Sequence, residues 1–400
     1  MVGRGSTLVV LTLWSVAILA GASAGVVIHV PGDQPTIQQA IFASSAGDTV
    51  IVAPGTYTSV LDTRLDFGGR NITLTSSAGP GATVLDAGGF APIITLQGGE
   101  DTTSVISGLT FRNGGSDNAA VRCQHGSPQI RDCVFETNTG RYGALYLGSS
   151  FEATVRSCGF IGNEGDDGGA VHANGSLGRF VDCSFEGNSA VGKGGAVYLT
   201  FYAETRFDSC RFASNEAEAG GAVYSMNAES RFENCSFWGN VADDGSAVYL
   251  NQSYNPPEFR RCSFVSNDGG TLYSLAADAV VTNSILAFDR SGPALTCLLG
   301  EPFLSHCYVF GNAGGDSLSG FGSSNRFEDP LLCGIETGDL SLCANSACLP
   351  PANPWGETVG AFGAGCASCG SPVEALSWGG IKSLFRTPGC GVRPSQSVPR

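Results

Sequence analysis

The sequence predicts an all-β solenoid, a stack of coils of about 25 residues with three short strands in each, under a short N-terminal capping helix. Three observations predict it. Cys133, Cys158, Cys183, Cys210, Cys235 and Cys262 follow one another at intervals of 25, 25, 27, 25 and 27 residues. Each opens the same phrase, Cys-x-Phe-x-x-Asn, which closes at Asn138, Asn163, Asn188, Asn215, Asn240 and Asn267. A Gly-rich turn and a small-apolar-aromatic strand then follow, starting at Gly143, Gly169, Gly195, Gly221, Ser246 and Gly270. Self-similarity at a fixed period marks a repeat architecture and has to be read before anything else.

Each unit carries a further short strand before its cysteine, as in Arg179-Phe-Val, Arg206-Phe-Asp and Arg231-Phe-Glu. The strands alternate inward and outward residues, and none of the repeat carries a useful helical period. One unit cannot bury its inward face alone. Stacking buries it, with each strand paired in parallel to its copy in the next coil. That describes a single-stranded parallel β-helix. Cys is small and apolar and suits an inward column, and Phe fills the centre of the coil. Asn tolerates the left-handed conformation, and its amide can bond its copies above and below, so it is expected at a tight corner. The Gly pair permits the next corner and close backbone packing. Weaker copies at Gly108–Asn113, Asn283 and Cys307–Asn312 extend the stack both ways. About 12 coils are expected, a rod about 55–60 Å long at the strand spacing.

The chain divides into 1–24, 25–330 and 331–400. Arg4, an apolar run over 7–20 and Ala22-Ser23-Ala24 have the layout of a secretory signal peptide cleaved after Ala24. The run is short for a membrane span, and no other stretch approaches one. A secreted or cell-surface mature chain with no transmembrane segment is expected, and a monomer. With 42% hydrophobic and 14% charged residues the chain can bury a core, and disorder is excluded. Net charge is −15 with only Lys193 and Lys382 as lysines, which argues against nucleic acid as a partner. Pro35 to Phe42 reads as an amphipathic helix with Pro in its first turn and Ile37, Ala40 and Ile41 on one face, a lid on the first coil.

From about Asp329 the composition changes. Cys333, Cys343, Cys348, Cys366, Cys369 and Cys390 crowd a Gly- and Pro-rich segment, read as a C-terminal cap and tail. Outside the cytoplasm such cysteines can staple a region with little core, and the sequence leaves their pairing open. Cys366-Ala-Ser-Cys369 has the spacing of half a zinc site, but no second Cys pair or His pair at finger spacing accompanies it, so zinc is not expected. The ladder cysteines read as reduced and buried. The tail around 377–386 is aromatic and basic, a sorting signal or a frayed terminus.

These residues carry a likeness. Val30-Pro-Gly-Asp-Gln-Pro-Thr-Ile37-Gln-Gln-Ala-Ile41, with Gly47-Asp-Thr-Val50 and Ala53-Pro-Gly-Thr-Tyr57, resembles the start of right-handed parallel β-helix proteins of the pectin lyase-like superfamily. The Phe-x-x-Asn and Gly-Gly-Ala-Val motifs are similar to the repeats of chlamydial polymorphic outer membrane proteins. The resemblance spans about 26–330 and implies a right-handed coil. It does not extend to the autotransporter barrel of the chlamydial adhesins, because 331–400 is too short and too rich in Cys, Gly and Pro for alternating membrane strands.

No Gly-x-Ser-x-Gly, His-Glu-x-x-His or P-loop phrase occurs, and no residue is assigned a catalytic role. Glu164, Asp166 and Asp167, then Glu216 and Glu218, then Asp243 and Asp244 occupy equivalent turns and are expected to form an acidic stripe. Asp166, Asp167, Glu216, Glu218, Asp243 and Asp244 are the candidates for oxygen ligation of Ca²⁺, against a solvated turn with no ligand. Arg156, Arg179, Arg206, Arg231 and Arg260 or Arg261 form a second row, able to meet anionic sugars or to pair with Asp182, Asp208 or Glu233 on neighbouring strands. His172 reads as a substitution at the core edge. The expected function is a non-catalytic secreted or surface β-helix acting in adhesion, surface structure or binding of a polysaccharide, cell-surface glycan or protein. The alternative is a polysaccharide lyase or glycoside hydrolase of the pectin lyase-like type. Whether acids and a base converge in one solvent-lined groove separates the two.

Overall fold

A computed structural model describes residues 25–370 apart from 90–91, 117, 150–151 and 319–321. The signal-peptide reading of 1–24, Cys390 and the 377–386 tail lie outside the described residues.

The chain winds into a right-handed β-helix whose strands pair in parallel from coil to coil. Sheet 1 has 13 strands, from Val27–Val30 to Gly322–Ser323. Sheet 2 has 11, from Gly55–Tyr57 to Tyr308–Phe310, and sheet 3 has 10, from Leu65–Asp66 to Leu295–Leu299. Sheet 1 is one strand longer than the 12 coils expected. A short fourth ladder of four strands runs from Gly115–Ser116 to Ser189–Lys193, in a region the sequence presents as turn. It continues as single bridges, Ser189 to Glu216, Glu216 to Val241 and Val241 to Asp268.

The interior is built from columns of like residues. Phe135, Phe160, Phe185, Phe212, Phe237 and Phe264 stack with ring centroids 4.6–4.9 Å apart. Phe180, Phe207, Phe232 and Phe259 form a second stack at 4.8–5.0 Å. These spacings equal the interstrand distance, so each ring covers its copy. The Asn column is fully buried, and every amide is used. Asn163 Nδ2 donates to Asn188 Oδ1 at 2.9 Å and to the Phe135 carbonyl at 3.0 Å, and its own Oδ1 accepts from Asn138.

The corner chemistry differs from expectation in one respect. The left-handed residue is the one before each Asn, namely Thr137, Gly162, Gly187, Ser214, Gly239 and Ser266, at φ +50° to +63°. The turn is made there, and Asn serves only as the amide ladder. At the Gly pair, Gly194 has φ +65°, and a Cβ on Gly195 would lie 2.2 Å from the Gly221 carbonyl oxygen. Both are close approaches that only glycine accepts.

The N-terminal helix, Ile37–Ala43, is capped by the Thr36 hydroxyl, which accepts from the Gln39 N–H. Pro35 therefore precedes the cap and lies outside the first turn. Ile37, Ala40 and Ile41 are buried, as the lid requires. Among the described residues no helix is long and apolar enough to cross a membrane.

Residues 331–370 lie along the flank of sheet 2. Outward positions of that sheet are Glu136, Ile161 and Glu186 in earlier coils, and Trp238, Val265 and Ala287 in later ones. Val265, Ile285, Ala287 and Tyr308 form a second core with Leu332, Leu340, Leu342, Cys348 and Val359. Trp238 Nε1 donates to the Ile335 carbonyl at 2.9 Å, and the Tyr308 hydroxyl to the Ala347 carbonyl at 2.7 Å. The segment has its own three-stranded sheet, Leu332–Gly334, Asp339–Cys343 and Ala364–Cys366.

Candidate functional site

In the Gly-Ala-Val-Tyr strands Val171, Val197, Val223 and Val248 point into the coil and are fully buried. Period 2 then turns the next residue outward. Register places Tyr146, His172, Tyr198, Tyr224, Tyr249 and Tyr273 in one row on the outer face of sheet 3. Ring centroids are 5.7, 4.9, 5.7, 4.8 and 4.5 Å apart along it. Tyr142 joins at the N-terminal end, 4.8 Å from both Tyr146 and His172.

The acidic stripe borders this row, because the turn that carries it leads into sheet 3. The two meet in a groove of about 280 Å³ lined by Gly192, Lys193, Glu218, Ala219, Tyr224, Asp243, Asp244 and Tyr249. Lys193 is the only lysine among the described residues. Its Nζ lies 5.2 Å from the centre of the Tyr224 ring, a cation–π contact. Its backbone N–H donates to Asp167 Oδ1 at 3.0 Å, which anchors the turn. Tyr224 is 3% exposed and forms the floor, while Glu218, Asp243 and Asp244 are exposed along the rim.

Burial favours the neutral forms of Tyr249, Tyr198 and His172 in the row. Burial, followed by the neighbouring Tyr273, Tyr224 and Asp244, pushes the Tyr249 phenol far up. Burial raises Tyr198 as well. Burial lowers His172 to about 4, against a smaller opposing effect of the Asp167 carbonyl. The groove offers phenol hydroxyls, exposed carboxylates and one ammonium.

The structure distributes the six proposed Ca²⁺ ligands along the rod. Glu218, Asp243 and Asp244 reach the groove, whereas Asp166 and Asp167 sit nearer the N-terminus and Glu216 stands exposed on the stripe outside the lining. Asp166 faces Arg141 at 3.9 Å. Among the described residues the one group of three or more ligand side chains gathered within 4.8 Å is Cys333, Cys343 and Cys366, and none of the acids belongs to it. The arginine row lies on sheet 1, on another face of the coil. Arg156 pairs with Asp182 at 3.6 Å, Arg231 with Glu258 at 3.6 Å, and Arg260 and Arg261 with Glu233 at 3.7 and 2.6 Å. These are half-exposed pairs worth little individually.

The ladder cysteines are free, buried thiols, each near the carbonyl of the residue two before it, as Cys133 Sγ is to the Arg131 oxygen at 3.2 Å. Disulfides join Cys333 to Cys366 and Cys343 to Cys369. Among the described residues Cys348 is bonded to no other cysteine. It is a free thiol in the flank core, pushed up in pKa by burial.

Sequence reasoning named the acids and missed the aromatic row, reading Tyr as part of the strand repeat. The signal was present: a residue following an inward Val in a strand must face out. Lys193 carried a signal too, as a lone lysine between the acidic turns.

The family described as the right handed beta helix region matches residues 167–330. No curated protein matches the chain. Among solved structures, the PL6 family alginate lyase AlyGC is similar at 11% identity over 78% of this chain and 54% of that one, with a TM-score of 0.37. The chain thus spans about half the length of that enzyme. A mannuronic acid specific polysaccharide family 6 lyase from human gut microbiota is similar at 12% identity over 88% of this chain and 93% of that one, with a TM-score of 0.39.

Proposed function

We propose that this is an exported, non-catalytic β-helix that binds a neutral glycan along the outer face of sheet 3. The observation that carries the reading is the convergence of Lys193, Glu218, Asp243, Asp244, Tyr224 and Tyr249 on one groove of an otherwise repetitive rod. Tyr rings give apolar surface with a polar tip, and carboxylates accept hydrogen bonds from sugar hydroxyls. The repeat spacing suits an extended chain, which can meet equivalent groups on successive coils.

A second reading is favoured by the same groove. A lysine and a phenol beside carboxylates supply the base and acid that cleavage of a polysaccharide needs. Charge argues against a polyuronate, however. Three carboxylates around one ammonium leave a net negative rim that repels an anionic chain unless a divalent cation intervenes.

The test is affinity electrophoresis of residues 25–400 through gels containing neutral or acidic polysaccharides, with Ca²⁺ or chelator. Retardation by a neutral glycan, weakened about tenfold in Tyr249→Ala (about 1.4 kcal/mol), is the expected outcome. New reducing ends or unsaturated uronate ends would replace it with the enzymatic reading. No retention by any glycan would remove the groove as a glycan site.

A further inference from the structure

The two disulfides of the flank segment are packed against each other. Cys366 Sγ, bonded to Cys333, lies 3.6 Å from Cys343 Sγ and 3.7 Å from Cys369 Sγ. The sulfurs of Cys333, Cys343 and Cys366 all fall within 4.8 Å of one another, and Cys343 is bonded to Cys369. Four sulfurs from three strands and one loop thus occupy a single cluster. Zn–S bonds of about 2.3 Å in a tetrahedron put sulfurs about 3.8 Å apart. Two of the cross-distances between the disulfides, Cys366 to Cys343 at 3.6 Å and Cys366 to Cys369 at 3.7 Å, match those edges.

The cluster is also held by contacts that do not depend on the disulfides. Cys343 and Cys366 are register partners on adjacent strands. The Cys343 N–H donates to the Leu331 carbonyl at 2.8 Å, and the Ala344 N–H to the Cys366 carbonyl at 3.2 Å. Asn345 grips Cys369 twice: its Oδ1 accepts from the Cys369 N–H at 2.9 Å, and its Nδ2 donates to the Cys369 carbonyl at 2.8 Å. Leu332, Leu340 and Leu342 anchor the strands of Cys333 and Cys343 to the rod. Opening the disulfides therefore leaves four thiols facing a common centre. Cys333, Cys366 and Cys369 are part-exposed, so an ion has a way in.

We propose that the reduced form of this cluster binds one Zn²⁺ through Cys333, Cys343, Cys366 and Cys369, so that the flank has two alternative cross-links. The sequence shows Cys366 and Cys369 as half of a site; the fold supplies the other half from Cys333 and Cys343. A dithiol reductant gives each disulfide two electrons and two protons and leaves as its own disulfide. Zn²⁺ then displaces the four thiol protons and bonds the thiolates. Soft sulfur ligands in tetrahedral array select zinc over the harder divalent ions.

The experiment uses the full mature chain, reduced and then freed of reductant without oxygen, and titrated with Co²⁺ as the spectroscopic probe. The expected result is one Co²⁺ per chain with the intense absorption of a tetrahedral thiolate site, displaced by Zn²⁺. The oxidised protein should give no such band. Cys369→Ser should lose at least tenfold in affinity, while Cys348→Ala, outside the cluster, should bind as the parent does. Circular dichroism establishes that each variant retains the β-helix. Absence of the band in folded, fully reduced protein, or an undiminished band in folded Cys369→Ser, overturns the proposal.

Discussion

The coils between Cys133 and Asn267 and the flank segment 331–370 achieve order by opposite means. Inside the coils the buried Phe and Asn residues meet copies of themselves. Phe185 lies between Phe160 and Phe212, and Asn188 between Asn163 and Asn215. In the flank no residue has a copy. Its carbonyls are met singly by Trp238, Arg211 and Tyr308 of the rod, and its strands are cross-linked through sulfur. Repetition supplies partners automatically, whereas a non-repeating layer needs individually matched contacts and staples. The flank also borrows its hydrophobic floor, because the outward residues Val265, Ile285, Ala287 and Tyr308 of sheet 2 pack against it.

The largest expected effect comes from breaking a column. Phe185→Ala removes a ring stacked on both sides, at 4.9 and 4.7 Å. It should cost about 3–5 kcal/mol in chemical denaturation, the usual range for a buried aromatic cavity. If the column does not act as a unit, the cost will be no larger than for an isolated aliphatic truncation.

Asn188→Leu tests the polar column. It strips the acceptor from the Asn163 N–H and Nδ2 and the donor from the Phe160 carbonyl. Unsatisfied buried groups of this kind should cost about 3 kcal/mol together. A near-neutral result would mean that the neighbours find water.

A smaller effect sharpens the comparison where repetition falters. Asp289 takes the place of Asn in the ladder, accepting from the Asn267 N–H at 3.2 Å while its own N–H donates to Asn312 Oδ1. Its other oxygen meets the Thr271 hydroxyl. Burial raises its carboxyl to about 8, so the folded protein holds a proton that the unfolded chain releases above about 4. Stability should therefore fall as pH rises between about 4 and 8, by up to about 1.4 kcal/mol per pH unit. Asp289→Asn should abolish that slope and raise the denaturation midpoint most at the alkaline end. An unchanged slope would place the titration elsewhere.

Much of this was legible in the sequence because a column writes itself as a period. The Cys, Phe and Asn positions, the Gly pair and the lid residues Ile37, Ala40 and Ile41 all stand where the spacing puts them. What escaped was whatever depends on direction or on meeting at a distance. Tyr224 and Tyr249 were visible as letters of the repeat, but their facing Lys193, Glu218 and Asp243 follows from how the turn hands the chain to sheet 3. The role of Thr137 and Gly162 at the corner was hidden because the constant Asn beside them drew the attention. Cysteine pairing has no periodic signature, and Cys348 is indistinguishable from its neighbours until the flank folds onto Ile285 and Tyr308.

The Asn column has a polarity. From Asn138 to Asn240 each side-chain amide donates to the Asn of the next coil as well as to a Phe carbonyl of the coil before, and backbone N–H groups carry the ladder on from Asn267 to Asp289 and from Asp289 to Asn312. It stops at Asp316, whose carboxylate accepts from the Asn312 N–H and side chain and from the Gly311 N–H. A queue of donors has to finish on a group that only receives, and an anion does so with no hydrogen left to offer. The rod consequently has chemically unlike termini. The amide ladder could therefore lengthen by duplication of coils ahead of Asp316, which would remain its accepting end.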